Sequence, residues 1–237
     1  MSSILSKSYF KDYFQDFLPR LKNHLLSRVL GFKYDGDEFN FSPSDRRNVL
    51  IMNNGTIYRH KVLRVNYTTY DLRRVQDSLN PRLPGHGDVM VLSPENEDEN
   101  ENPHPYWYAR ILGIYHANVC YIGSDSTVSR EPQRMEFLFV RWFGRDLTPN
   151  PGWKAKRLFR LGFVPGNDET AFGFIDPAQV IRSVHLIPAF SWGHVTKYLP
   201  QQSVIARGAK EPNDDWQLYY VGMWVYSVFF SSAVADY

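Results

Sequence analysis

Aromatic and β-branched residues crowd two runs of the chain, His104–His116 and Arg134–Gly144, and single charges interrupt both at alternating positions. Alternation of this kind suits strands that turn one face to a core. Between the runs lie Gly123, Ser124, Asp125 and Pro132, residues that favour turns. The pattern predicts a β-hairpin spanning His104 to Asp146 at the centre of a sheet.

At the amino terminus the apolar period changes to that of a helix. Tyr9, Phe10, Tyr13, Phe14, Phe17 and Leu18 recur at three-to-four spacing, and the pattern resumes after Pro19 with Leu21, Leu25, Leu26, Val29 and Leu30. Either a helix pair or one kinked helix satisfies it, with Asp16 as a cap, Pro19 in the first turn of the second part and Gly31 as a left-handed stop. The aromatic stripe either docks on the sheet or meets a partner subunit.

Residues Tyr34 to Asn48 read as a connector with a helical turn over Ser44–Arg47. Val49–Met52 and Thr56–Tyr58 flank Asn53-Asn54-Gly55, which predicts a tight hairpin. A strand over Lys61–Tyr67 follows. Thr68–Leu79 fits both periods, and extended structure is preferred for its Thr and Tyr content. Further strands are expected at Gly87–Leu92, Leu161–Val164, Ala171–Ile175 and Val184–Ile187, with Asp176-Pro177 opening a single helical turn. Ser93–Pro103 is an acidic, asparagine-rich loop, and Trp192–Asp214 is loop-like. Trp216–Ala235 carries no charge and could span a bilayer, but Gln217, its tyrosines and the lack of basic flanks favour packing on the domain. The expected organisation is a helical segment and connector over residues 1–46, a β-rich domain over 47–200, and a carboxy-terminal loop and apolar segment over 201–237.

Composition narrows the class. Of the 237 residues 43% are apolar and 16% aromatic, enough rings to fill a sheet-faced core or line a binding surface. A net charge of +2 is too small to recruit nucleic acid by the whole chain, so only local clustering could do so. Cys120 is the single cysteine, which excludes an intramolecular disulfide and a cysteine-based zinc site. No signal-peptide pattern opens the sequence, and an intracellular location without a membrane span is expected.

Phosphate-cradling glycine loops, a glycine-bracketed serine and a His-Glu-x-x-His helix are all missing, which disfavours enzymes of those designs. The seven histidines lie singly along the sequence, and Asp214-Asp215 reads as a solvated helix start rather than a catalytic pair. No catalytic residue, metal ligand or cofactor is expected. Two other constellations stand out. Lys154, Lys156, Arg157 and Arg160, interleaved with Trp153 and Phe159, have the composition of a phosphate-contacting element, with a solvated loop as the alternative. Tyr106, Tyr108, Trp142 and Phe143, near Trp107, would suit a methylated lysine if rings were left at the surface, with Asp88 or Asp146 as the carboxylate wall. Packing in the core is the alternative.

The succession Gly87-Asp88-Val89-Met90-Val91, Pro105 to Ile114, Phe139-Val140-Arg141-Trp142-Phe143 and Val184-His185-Leu186-Ile187 resembles the strands of a bromo-adjacent homology domain. That likeness implies a distorted antiparallel β-barrel with helical decorations, an α+β, β-rich fold, and a chromatin-associated interaction module. Over its whole length the chain resembles the carboxy-terminal region of agaricomycete proteins associated with transposons of the Kyakuja, Dileera and Zisupton type. The matching residues are Asp16 to Leu26, Arg64 to Asp71, His104 to Arg110 and Phe172 to Pro177. The resemblances together imply a non-catalytic module of a transposon-derived fungal protein, nuclear in location, with chromatin or DNA as partner. The alternative is an assembly domain that self-associates through residues 5–30 and binds neither histone nor DNA.

Overall fold

A computed structural model describes residues 17–32, 39–68, 73–94, 104–147, 158–199, 206–207, 212 and 214–222. One helix, α1 (Phe17–Val29), precedes β1 (Val49–Ile51), β2 (Tyr58–His60), β3 (Leu63–Thr68), β4 (Arg74–Leu79) and β5 (Asp88–Leu92). The long strands β6 (Tyr106–Tyr121) and β7 (Gln133–Arg145) follow, then β8 (Arg160–Phe163), β9 (Phe172–Ile175), β10 (Val180–Ser183) and β11 (Leu186–Pro188). Short strands β12 (His194–Val195), β13 (Asp215–Trp216) and β14 (Tyr219–Val221) complete the described set. The expected hairpin is β6–β7, and it is the spine of the molecule.

Ten strands form one antiparallel sheet whose main path runs β10-β5-β6-β7-β8-β14-β11, while β1 and β2 pair with β6 and β9 pairs with β7. The two ends of that path are consecutive in sequence, joined only by Val184 and His185. Three residue steps span at most about 11 Å, so the ends of a seven-strand path must be brought together and the sheet has to curl. No ladder joins β10 to β11, and the result is an open half-barrel. A strand was expected over Val184–Ile187; instead Val184 and His185 form the corner between two strands. Val184 N–H donates to Asp88 at 2.9 Å and Gly222 N–H to His185 at 2.9 Å, holding that corner to both neighbouring strands.

A bulge at Leu112 decides which side chains face which way. Pairing of β6 with β7 shifts between Ile111, opposite Val140, and Gly113, opposite Phe139. One inserted residue flips the side-chain parity that follows it. Tyr106, Tyr108 and Phe143 therefore share a face with Tyr115, Ala117, Val119, Phe137 and Phe139, while Ala109, Ile111, Ile114, Leu138 and Val140 take the other. The second face is covered by the β3–β4 hairpin through Val65 and Leu79. That hairpin meets the preference for extended structure over Thr68–Leu79 at its described residues.

Beyond the bulge the first face receives α1. Leu21, Leu25 and Leu26 are fully buried there, and Phe17 sets its ring edge-on to Phe139 at 5.3 Å and Phe174 at 5.2 Å. Arg28 clamps the helix to the sheet by pairing with Asp176 at 2.6 Å and donating to the Glu136 carbonyl at 2.5 Å. Gly31, at φ 72°, ends it as expected: Phe32 N–H reaches Ser27 and Gly31 N–H reaches Arg28, the paired bonds of a Schellman cap. Asp16 and the ring residues from Tyr9 to Phe14 lie outside the described residues.

The hairpin expected at Asn54-Gly55 does not form. Both β1 and β2 pair with β6, Ile51 opposite Val119 and Tyr58 opposite His116, so they are two pieces of one edge strand. Asn53, Asn54 and Gly55, at φ 54°, 58° and 76°, make a left-handed excursion between them. The turn signal was sound, because these residues tolerate positive φ. The long β6 beside them supplied a better ladder than they could offer each other.

Gly113 carries a testable consequence of the bulge. A Cβ there would fall within the ring of Tyr115, which is buried and stacked on Phe137 at 5.6 Å. Gly113→Ala is expected to lower unfolding free energy by about 1–3 kcal/mol through overpacking. Urea denaturation checks it; a loss below about 0.5 kcal/mol would show that the ring moves aside without cost.

Candidate nucleic-acid interface

A row of charge crosses the first face between its two apolar clusters. Asp88 on β5 lies opposite Arg110 on β6, which lies opposite Arg141 on β7. Arg110 grips Asp88 through two hydrogen bonds, of 2.7 and 3.0 Å. Burial opposes the charge on Arg110, but Asp88 and the Tyr219 hydroxyl outweigh it and its proton is held more tightly than in water. Arg141 is 1% exposed, sits over the Phe163 ring at 3.7 Å, and meets the Asp215 carboxylate at 2.9 and 3.2 Å. Arg207 completes a triad by donating to the same carboxylate at 2.7 Å. Burial lowers the pKa of Arg141 against the pull of Asp215. The expectation that Asp214-Asp215 opens a solvated helix is thereby corrected: Asp215 is a buried strand residue, because two guanidinium groups await it inside.

This anchor positions what lies outside. Next to the inward Asp215, its neighbour Trp216 is half-buried and packs in part against the apolar cluster of Tyr108, Phe143 and Tyr219. Beside it Ala189 N–H donates to Leu218 and Gln217 N–H to Gly193, stitching β13 to a 3₁₀ turn over Phe190–Trp192. Gly193, at φ 67°, closes the turn. Phe190 is 69% exposed and Trp192 45%, large values for rings of this size. Phe190 stands edge-on to Trp216 at 5.1 Å, and His194, paired with Asp214 at 3.0 Å, packs on the same indole at 3.7 Å.

The neighbouring sheet surface supplies a cation. Arg160 on β8 lies opposite Tyr220 on β14, which lies opposite Ile187 on β11, so the three form an outward row. The Arg160 guanidinium lies over Trp192 at 5.0 Å and pairs with Asp146 at 2.7 Å. The described platform thus offers ring faces to solvent beside charges that are already compensated.

Of the four expected basic residues only Arg160 is described; Lys154, Lys156 and Arg157, with Trp153, lie outside the described residues. The expected ring set is not assembled. Tyr106, Tyr108 and Phe143 are 8%, 1% and 7% exposed on the first face, whereas Trp142 faces the opposite way, edge-on to Trp107 at 5.8 Å. The alternative of packing in the core holds for the two tyrosines and Phe143, because β8, β11 and β14 cover the face that carries them. Asp88 and Asp146, the expected carboxylate walls, are bound to Arg110 and Arg160. Trp192 opens a segment that reads as a loop, and Phe190 stands before it in a stretch that carries no pattern. Two rings between Pro188 and Gly193, outside any alternating run, were the available signal.

The histidines, single in sequence, are not all single in space. His60 Nε2 meets His116 Nδ1 at 2.6 Å, and Tyr58 stacks on His116 at 4.7 Å. Among the described residues no group of three or more His, Cys, Asp or Glu side chains could hold a metal ion, and no helix is long and apolar enough to cross a membrane. Comparison with protein families, curated proteins and solved structures finds no match to this chain.

Proposed function

We propose that the chain is a non-catalytic, nucleic-acid- or chromatin-associated module, of the bromo-adjacent-homology-like and transposon-derived kind that its sequence resembles, acting in the nucleus. The observation that carries this reading is the exposed pair Phe190 and Trp192 beside Arg160, directly downstream of the basic run. Arg157 is three residues from Arg160 in the sequence and Lys154 six. A run of cations in the sequence that ends at a residue beside an exposed ring is the combination that tracks a nucleic-acid backbone while engaging its bases.

The test is a titration of labelled DNA with the full chain at low and physiological salt. Binding is expected to weaken steeply with salt, and replacement of Lys154, Lys156 and Arg157 by alanine to reduce the slope by about 2–3. Absence of binding to any DNA or RNA, or a slope unchanged by the triple replacement, overturns the reading.

A further inference from the structure

We propose that the Phe190–Trp192–Trp216 platform takes unpaired bases, making the preferred partner a single-stranded nucleic acid; this rests on the nucleic-acid reading above and specifies its substrate class. Arg160 is held by Asp146 at 2.7 Å and His194 by Asp214 at 3.0 Å, so this surface has little net cation to offer a phosphate. It does have ring faces in water, with Phe190 and Trp192 at 69% and 45% exposure. In a duplex the base faces are stacked on one another and cannot reach a ring, whereas every unpaired base presents a π-face.

Preorganisation supports the same assignment. Trp216 follows a residue locked by Arg141 and Arg207, and Gly193 with two backbone bonds fixes the turn that bears Phe190 and Trp192. The rings are therefore not loose apolar side chains awaiting a core, and stacking a base on them orders little that is mobile. The Arg160 guanidinium, on a side chain only 12% exposed, lies against the Trp192 ring at 5.0 Å and fixes the ring's orientation. Base stacking at the platform can thus be removed without removing any cation.

The experiment uses the full chain with labelled oligothymidylate and a labelled duplex of equal length, read by anisotropy and by quenching of tryptophan emission. Expected are tighter binding of the single strand, quenching on binding, and roughly tenfold weaker single-strand binding in both Trp192→Ala and Phe190→Ala. Salt slopes should stay unchanged in those two variants, because no phosphate contact is lost. Phe190 is 69% and Trp192 45% exposed, urea denaturation checks that both variants keep the parent's stability, and Leu92→Ala, at 68% exposure on β5, serves as a control that binds like the parent. Duplex bound as tightly as single strand, or ring variants that bind normally, overturns this inference and leaves the broader reading standing. Failure of every nucleic acid to bind overturns both. An unstructured peptide that competes equally with the oligonucleotide for Trp192 would reassign the platform to protein and overturn the proposal.

Discussion

Asp215→Ala is expected to destabilise the protein by about 3–5 kcal/mol, the cost of leaving buried cations without their carboxylate. Arg141 is 1% exposed and Arg207 6%, and both direct a guanidinium to Asp215, so neither can turn to water without opening the fold. The loss extends beyond energy, since β13 and the indole of Trp216 are placed by the same carboxylate. Urea denaturation followed by tryptophan emission measures both effects. Asp215→Asn, which keeps a hydrogen-bond acceptor but not the charge, should fall between parent and alanine. Replacing Arg141, Arg207 and Asp215 together by apolar residues of similar volume should recover most of the loss, because a buried ion triad stabilises little relative to good packing. A change below about 1 kcal/mol for Asp215→Ala would show that water reaches the triad.

Acid should weaken the fold through His24. Its imidazole is buried in α1 against the Phe174 ring at 5.8 Å, and its pKa falls to about 3, first by burial and then by the nearby Arg28 cation. A depressed folded-state value means that the unfolded chain binds the proton more readily. The contribution of neutral His24 is therefore complete above the ordinary value of 6.5 and is lost as pH falls toward 3. Between pH 7 and pH 5 this amounts to about 2 kcal/mol. Burial lowers the pKa of His116 as well, so part of the acid sensitivity has a second source with the same sign. Denaturation at both pH values should show a smaller drop in His24→Gln than in the parent. An equal drop in the two proteins would mean that His24 is protonated in the folded state.

Legibility in the sequence varied with the range of the interaction that decides each feature. Gly31, Asp176 and the strand runs of β6 and β7 act through near neighbours, and each stands where the residues predicted. The capping box at Asp176 is a case in point: its carboxylate accepts from Ala178 at 2.9 Å while Gln179 reaches back to its backbone at 3.2 Å. Asn53-Asn54-Gly55 carried a correct local signal that was overruled, because its strands found β6 at a sequence distance no turn rule covers. The choice between surface and core for the ring residues of the central hairpin was not legible for a similar reason. Alternation separates Tyr108 from Trp107, but only packing of β8, β11 and β14 on one side and β3–β4 on the other shows that both faces are interior.

What the residues determined by themselves was the existence and type of most elements: α1 with its stop, the β6–β7 spine, β5, β9 and the turn after Asp176. These follow from periodicity, caps and turn formers, all settled within a few residues. Tertiary structure decided the curl of the sheet, the fate of Asp214-Asp215 and the surface that remains available for binding. Burial of a carboxylate depends on whether Arg141, 74 residues away, and Arg207 are there to receive it. Exposure of Phe190 and Trp192 depends on what the half-barrel leaves uncovered. Both are sums over the whole fold, which no local window of sequence contains.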